Sequence, residues 1–94
     1  MKNVSILGAT GSIGLNTLDV ISRHRDKFRV FAVSAYSNWE QLHQICIDHA
    51  PSFAVLVNES AAEKLRVVAP SGTEVLCGND AIDKIASHKK TDYV

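Results

Sequence analysis

Gly8, Gly11 and Gly14 stand three residues apart in the run Gly8-Ala9-Thr10-Gly11-Ser12-Ile13-Gly14, between a short apolar stretch and a helical period. A chain that passes from strand to helix through glycines can hold an anion without a charged side chain. The first N–H groups of a helix lack intrahelical acceptors and lie at the positive end of its dipole. Gly8 is expected to turn the chain sharply off the strand, Gly11 to admit a pyrophosphate close to the backbone, and Gly14 to let the helix pack tightly on the sheet. Thr10 and Ser12 add hydroxyl donors, and Ser12 is equally suited to cap the helix. Glycines alone would also fit a tight turn that binds nothing; their place between the first strand and a helix favours a nucleotide. The run lacks the Gly-Lys-Ser/Thr ending of a P-loop, and no lysine lies between Lys2 and Lys27.

The end of the second apolar run indicates which nucleotide. Sites for NAD usually carry an Asp or Glu there to hold the ribose 2′-OH. This chain has Ser34, Ala35, Tyr36, Ser37 and Asn38, and its first acid is Glu40. No carboxylate would repel a 2′-phosphate, and Ser37 and Asn38 can hydrogen-bond one, so NADP is favoured over NAD. Tyr36 or Trp39 can lie against the adenine. Ser37 with Glu40 also reads as a capping box, and Trp39 as the anchor of a second helix.

Other chemistry is sparse. Cys46 and Cys77 have no CxxC spacing and are read as buried free thiols. His24, His43, His49 and His88 are scattered over expected helices without ligand spacing. Asp19 falls inside the first helix, where a solvent-facing role suits it better than catalysis. Arg23, Arg25 and Lys27 read as the solvated end of that helix. No catalytic residue and no metal ligand is assigned to the chain. Ten basic and ten acidic residues give a net charge of +0, so there is no overall field for nucleic acid or a membrane surface. No apolar stretch approaches the ~20 residues that span a bilayer, and no signal sequence is evident, which gives a cytoplasmic expectation.

The elements that must position the glycine run alternate between short β-rich stretches and helical periods, as in βαβ units with a parallel sheet. Strands are expected over Asn3 to Leu7, Phe28 to Ser34, Phe53 to Val57 (an interior strand) and Thr73 to Leu76. The first helix should run from Ser12 to Arg25 with Ile13, Thr17, Leu18 and Ile21 inward. The second carries Leu42, Ile45 and Cys46 inward and stops at Pro51. The third opens on a Ser60/Glu63 capping box with Ala61, Leu65 and Val68 inward, and the fourth follows Gly78 and Asn79. Asp92 to Val94 resemble the start of a further strand, so the expected fold is a Rossmann-like, doubly wound parallel α/β sheet, truncated after about four strands. Residues 1–94 are expected to form one incomplete nucleotide-binding domain, of a size that supports a single small core.

The run ILGATGSIG (Ile6 to Gly14), followed by TLDV (Thr17 to Val20), FRV (Phe28 to Val30) and Asn38, resembles the N-terminal domain of the 1-deoxy-D-xylulose 5-phosphate reductoisomerase family. TGSIG together with TLDV is far more specific than the glycines alone, and the resemblance is tightest up to Glu40. It implies a cytoplasmic, homodimeric enzyme of non-mevalonate isoprenoid synthesis that rearranges a phosphosugar, 1-deoxy-D-xylulose 5-phosphate, and reduces the product with NADPH to 2-C-methyl-D-erythritol 4-phosphate. Mg²⁺ or Mn²⁺ would hold the substrate oxygens as Lewis acid. The family's NADPH contacts would fall on Thr10, Gly11, Ser12, Ile13 and Asn38, whereas its metal ligands, phosphate site and closing loop would lie beyond Val94. These residues on their own would then be inactive.

The chain departs from the family at Tyr36 and Ser37, where many members have Gly and a basic residue. Ser37 and Asn38 would have to hold the 2′-phosphate as neutral donors, which are roughly half as strong as charged ones. Two rival readings stay open: an extended short-chain-type NADP-dependent reductase or epimerase, and a non-enzymatic nucleotide-sensing module.

Overall fold

The computed structural model describes residues 1–94 throughout. β1 (Lys2–Ile6), α1 (Ser12–Arg23), β2 (Phe28–Ala35), α2 (Trp39–His49), β3 (Phe53–Leu56), α3 (Glu59–Val68), β4 (Glu74–Cys77) and α4 (Asn79–Ala86) alternate without exception. The strands form one parallel sheet in the order β1-β2-β3-β4, so β3 is interior as expected.

Alternation along the strands divides the core between two faces. Val4 and Ile6 of β1, Val33 and Ala35 of β2, and Ala54 and Leu56 of β3 pack with α1, α2 and α3 through Leu18, Ile21, Leu42, Ile45, Cys46 and Leu65. Phe31, Ala32 and Val55 face the other way, against Ile85 of α4. Phe31 and Ala32 share a face although adjacent in sequence. The β1–β2 register slips between Val4 and Ser5, and the bulge places the extra residue of β2 opposite the break.

α4 leads the chain back across that second face to the far edge of β1. There Tyr93 forms a parallel bridge with Val4, and the Ser5 N–H donates to the Tyr93 carbonyl (2.9 Å). Successive strands thus progress away from β1 on one side and the chain then resumes on its other side, as in a doubly wound sheet. The reversal makes a crevice at the C-terminal end of β1, the place where open α/β sheets bind ligands.

Several local expectations are corrected by the packing. α1 ends at Arg23 rather than Arg25, and His24 is its C-cap. Asn38, not Ser37, caps α2, because its side chain accepts from the Gln41 N–H (3.2 Å). Asn58, not Ser60, caps α3 through the Ala61 N–H (2.9 Å). In both loops the cap falls on an Asn, a preferred N-cap residue. Val68 is exposed and Ala62 takes its place inward. His88 lies beyond α4, its ring against Phe31 and Phe53 (centroids 5.0 and 5.7 Å). Cys46 is buried, but Cys77, at the end of edge strand β4, is exposed.

Candidate dinucleotide-binding site

The glycine run leaves β1 at its C-terminal end and enters α1 within six residues of Ile6. Gly8 has φ +71°, a conformation costly for residues with a side chain, and this turns the chain off the strand. A Cβ on Gly14 would stand 2.4 Å from the Gly8 carbonyl oxygen and 2.7 Å from the Ala9 Cα, so only glycine allows the helix to start against the turn. Gly11 has open room, with the Gly8 oxygen 3.4 Å from an added Cβ, and its N–H donates to that same carbonyl (3.0 Å).

Gly11 is also the N-cap of α1, with extended backbone and no side-chain cap. This corrects the capping role considered for Ser12, which is the first helical residue. With no cap in place, the N–H groups of Ser12, Ile13 and Gly14 have no acceptor in the chain, nor does that of Thr10. Free N–H groups at a helix N-terminus suit an anion. Ile13, expected in the buried stripe of α1, is instead 84% exposed, and Gly14 is buried in its stead. The Ile13 side chain stands at the mouth of the turn, free to lie against a ligand.

Beside the turn is a cavity of about 300 Å³ lined by Leu7, Ile13, Gly14, Thr17 and Val94 with the end of β1. It occupies the crevice between β1 and the returning chain. A larger cavity of about 390 Å³ lies between α1 and α2, lined by Asp19, Arg25, Gln44, Asp48 and His49 among others, and includes no residue of the glycine run. The smaller one fits a dinucleotide better because it adjoins free N–H donors at the switch point. Leu7 and Thr17 were not singled out as site residues from the sequence; their position depends on how close the returning chain lies to β1.

At the end of β2, Tyr36, Ser37 and Asn38 are exposed. Asn38 is partly committed, since its amide also donates to Gln41 Oε1 (3.1 Å), whereas Ser37 makes no side-chain hydrogen bond. Trp39 packs against the core as an anchor of α2, which leaves Tyr36, 68% exposed, as the aromatic surface of this loop. The Asn58 N–H holds the Tyr36 carbonyl (2.9 Å). The first carboxylate, Glu40, lies in the first turn of α2.

The remaining titratable groups offer no second centre. Asp19 pairs with Arg23 on the open face of α1. Burial pushes the Cys46 thiol up to about 11. His49 is held below the usual imidazole range, by burial first and then by Arg25, against a smaller opposing pull from Asp48. No three His, Cys, Asp or Glu side chains are grouped to hold a metal ion, and no helix is long and apolar enough to cross a membrane.

The parallel sheet, the glycine turn and the switch-point crevice together define a dinucleotide-binding α/β unit. The family model of 1-deoxy-D-xylulose 5-phosphate reductoisomerase matches residues 4–94, and the chain belongs to that family. Reductoisomerases from Ruthia magnifica and Vesicomyosocius okutanii are 46% and 49% identical over 94 residues. The match spans 100% of this chain but only 24% of each relative's length. The reductoisomerase from Zymomonas mobilis in complex with NADPH superposes with a TM-score of 0.88 at 34% identity, over 95% of this chain and 24% of that one. A DOX-P reductoisomerase in complex with NADPH, fosmidomycin and magnesium gives 0.85 at 27% identity, over 98% and 23%. The match does not favour the short-chain reductase or the sensing module.

Proposed function

We propose that this chain is the NADPH-binding portion of a 1-deoxy-D-xylulose 5-phosphate reductoisomerase, which converts that phosphosugar to 2-C-methyl-D-erythritol 4-phosphate. The observation that carries the reading is the set of unpaired N–H groups at Thr10, Ser12, Ile13 and Gly14, opening onto the switch-point crevice of a chain in this family. The residues fit the cofactor. Thr10, Gly11, Ser12 and Ile13 hold the pyrophosphate and adjoining groups, while Ser37 and Asn38 take the 2′-phosphate and Tyr36 the adenine. NADPH, when bound, supplies the hydride for the reduction.

The divalent ion, Mg²⁺ or Mn²⁺, has no fitting ligand set in this chain. We take its ligands and the phosphosugar site to lie in the rest of the family's length, of which this chain spans 24%, and the 94 residues alone are expected to have no turnover. The resemblance further supports a cytoplasmic homodimer for the whole enzyme, and the zero net charge gives nucleic acid no hold.

Titration with NADPH and with NADH, followed by Trp39 fluorescence and thermal melting, tests the assignment. NADPH is expected to stabilise preferentially, by about 2.7 kcal/mol at 100 times its Kd. A folded chain that responds to neither nucleotide, or better to NADH, would contradict it.

A further inference from the structure

Ser34 is buried at 2% exposure, next to the last residue of β2. The ladder between β1 and β2 ends with the pair Ile6 and Val33. One residue further on, Ser34 receives two consecutive N–H groups of the glycine turn. Its carbonyl accepts from Ala9 (2.7 Å) and its hydroxyl from Gly8 (3.1 Å). A backbone alone would supply only the first of these. The second comes from the side chain, and nothing else in the chain accepts from the Gly8 N–H.

Gly8 is also the residue on which the turn's geometry depends. It carries the positive φ, its carbonyl takes the Gly11 N–H, and that carbonyl sets the limit on how closely Gly14 approaches. Any drift of Gly8 would therefore re-aim the unpaired N–H groups of Ser12, Ile13 and Gly14. Ser34 also stands two residues before Tyr36, so one residue connects the turn for the pyrophosphate to the loop for the 2′-phosphate.

Resting on the proposed NADPH site, we infer that Ser34 is a positioning residue: its hydroxyl clamps the Gly8 turn and so sets the pyrophosphate donors, without touching the cofactor. The clamp acts on one half of the ligand. Ser34→Ala is expected to raise the Kd for NADPH about three- to tenfold, the range of one neutral hydrogen bond. Affinity for adenosine 2′-monophosphate, which has the 2′-phosphate and adenine but no pyrophosphate, should stay unchanged, while Tm falls only by the several degrees that one lost hydrogen bond accounts for. Ser34→Thr, which keeps the hydroxyl, restores NADPH binding. In the ligand-free chain, amide hydrogen exchange at Gly8 should quicken in Ser34→Ala while that at Val33 does not. Equal losses for both ligands, or an unaltered Gly8 exchange rate, would overturn the inference. A wild-type chain that ignores NADPH would count against the proposed function instead, and Gly8 exchange would still decide whether the clamp exists.

Discussion

At the scale of single residues, Gly11 and Gly14 separate binding from folding. Alanine at position 14 gains helix propensity, up to about 1 kcal/mol. Its Cβ meets backbone atoms at 2.4 to 2.9 Å, however, and backbone cannot swing away as a side-chain end can. The clash wins, and Gly14→Ala should lose about 1–3 kcal/mol in urea unfolding together with NADPH affinity. Gly11→Ala meets only ordinary contact at 3.4 Å and needs no positive φ. It should lose less stability than Gly14→Ala, no more than the N-cap difference between glycine and alanine, and lose NADPH affinity because the methyl projects where the pyrophosphate is proposed to approach. Equal stability losses in the two variants would show that Gly11 is only structural. The roles of Gly8 and Gly14 were legible in sequence because a strand, a turn and a helix in immediate succession leave little choice of geometry. The clamp from Ser34 was not, since it depends on how β2 pairs with β1.

At the scale of the element, the N-terminus of α2 does two things with one residue. Asn38 caps the helix through its oxygen, and its amide, which donates to Gln41 Oε1, is the group proposed to turn to the 2′-phosphate. Aspartate keeps the cap and favours the helix dipole, but sets a negative charge beside a phosphate and offers a ribose 2′-OH an acceptor. Asn38→Asp should therefore leave Tm within a degree or two while shifting preference from NADPH toward NADH by tenfold or more, as read from the ratio of the two Kd values. Asn58→Ala is the contrasting variant. It removes the cap of α3, away from the glycine turn, and should cost about 1 kcal/mol of stability with the Kd ratio intact. The sequence made both helices evident through their inward residues but misplaced both caps. Ser37 with Glu40 and Ser60 with Glu63 satisfy the capping-box spacing as well as any pair, and only the folded backbone shows that the helices begin at Trp39 and Glu59, capped by Asn38 and Asn58.

For the whole molecule, pH dependence follows from two groups packed around α2. His49 has its folded pKa lowered by burial and by Arg25, so the unfolded chain takes up a proton first as pH falls below about 6.5. The stability tied to neutral His49 is present above that pH and is lost on acidification. Cys46 has its folded pKa raised from 9.0 to about 11, so its contribution is present below pH 9.0 and lost as pH rises toward 11. Urea midpoints should be highest between pH 6.5 and 9.0 and fall on both sides. His49→Gln should flatten the acid side alone, and a variant with an unchanged acid slope would remove His49 from this account. NADPH, bound at the opposite end of the sheet, should raise the whole curve without moving its maximum.

The sequence by itself determined the alternation of strand and helix, the parallel sheet, the glycine turn and the family, because each is written in local order: β-rich runs, helical periods and the joined TGSIG and TLDV. Tertiary structure decided what depends on contacts between distant segments. It placed Tyr93 beside Val4, which turns the end of β1 into a crevice, and it brought Ser34 beneath Gly8. It also turned Ile13 outward, because the close approach of Gly14 to Gly8 rotates α1 so that Gly14, Leu18 and Ile21 face the sheet. Helical spacing identifies a stripe but not which neighbour anchors it, and here a backbone contact set the rotation.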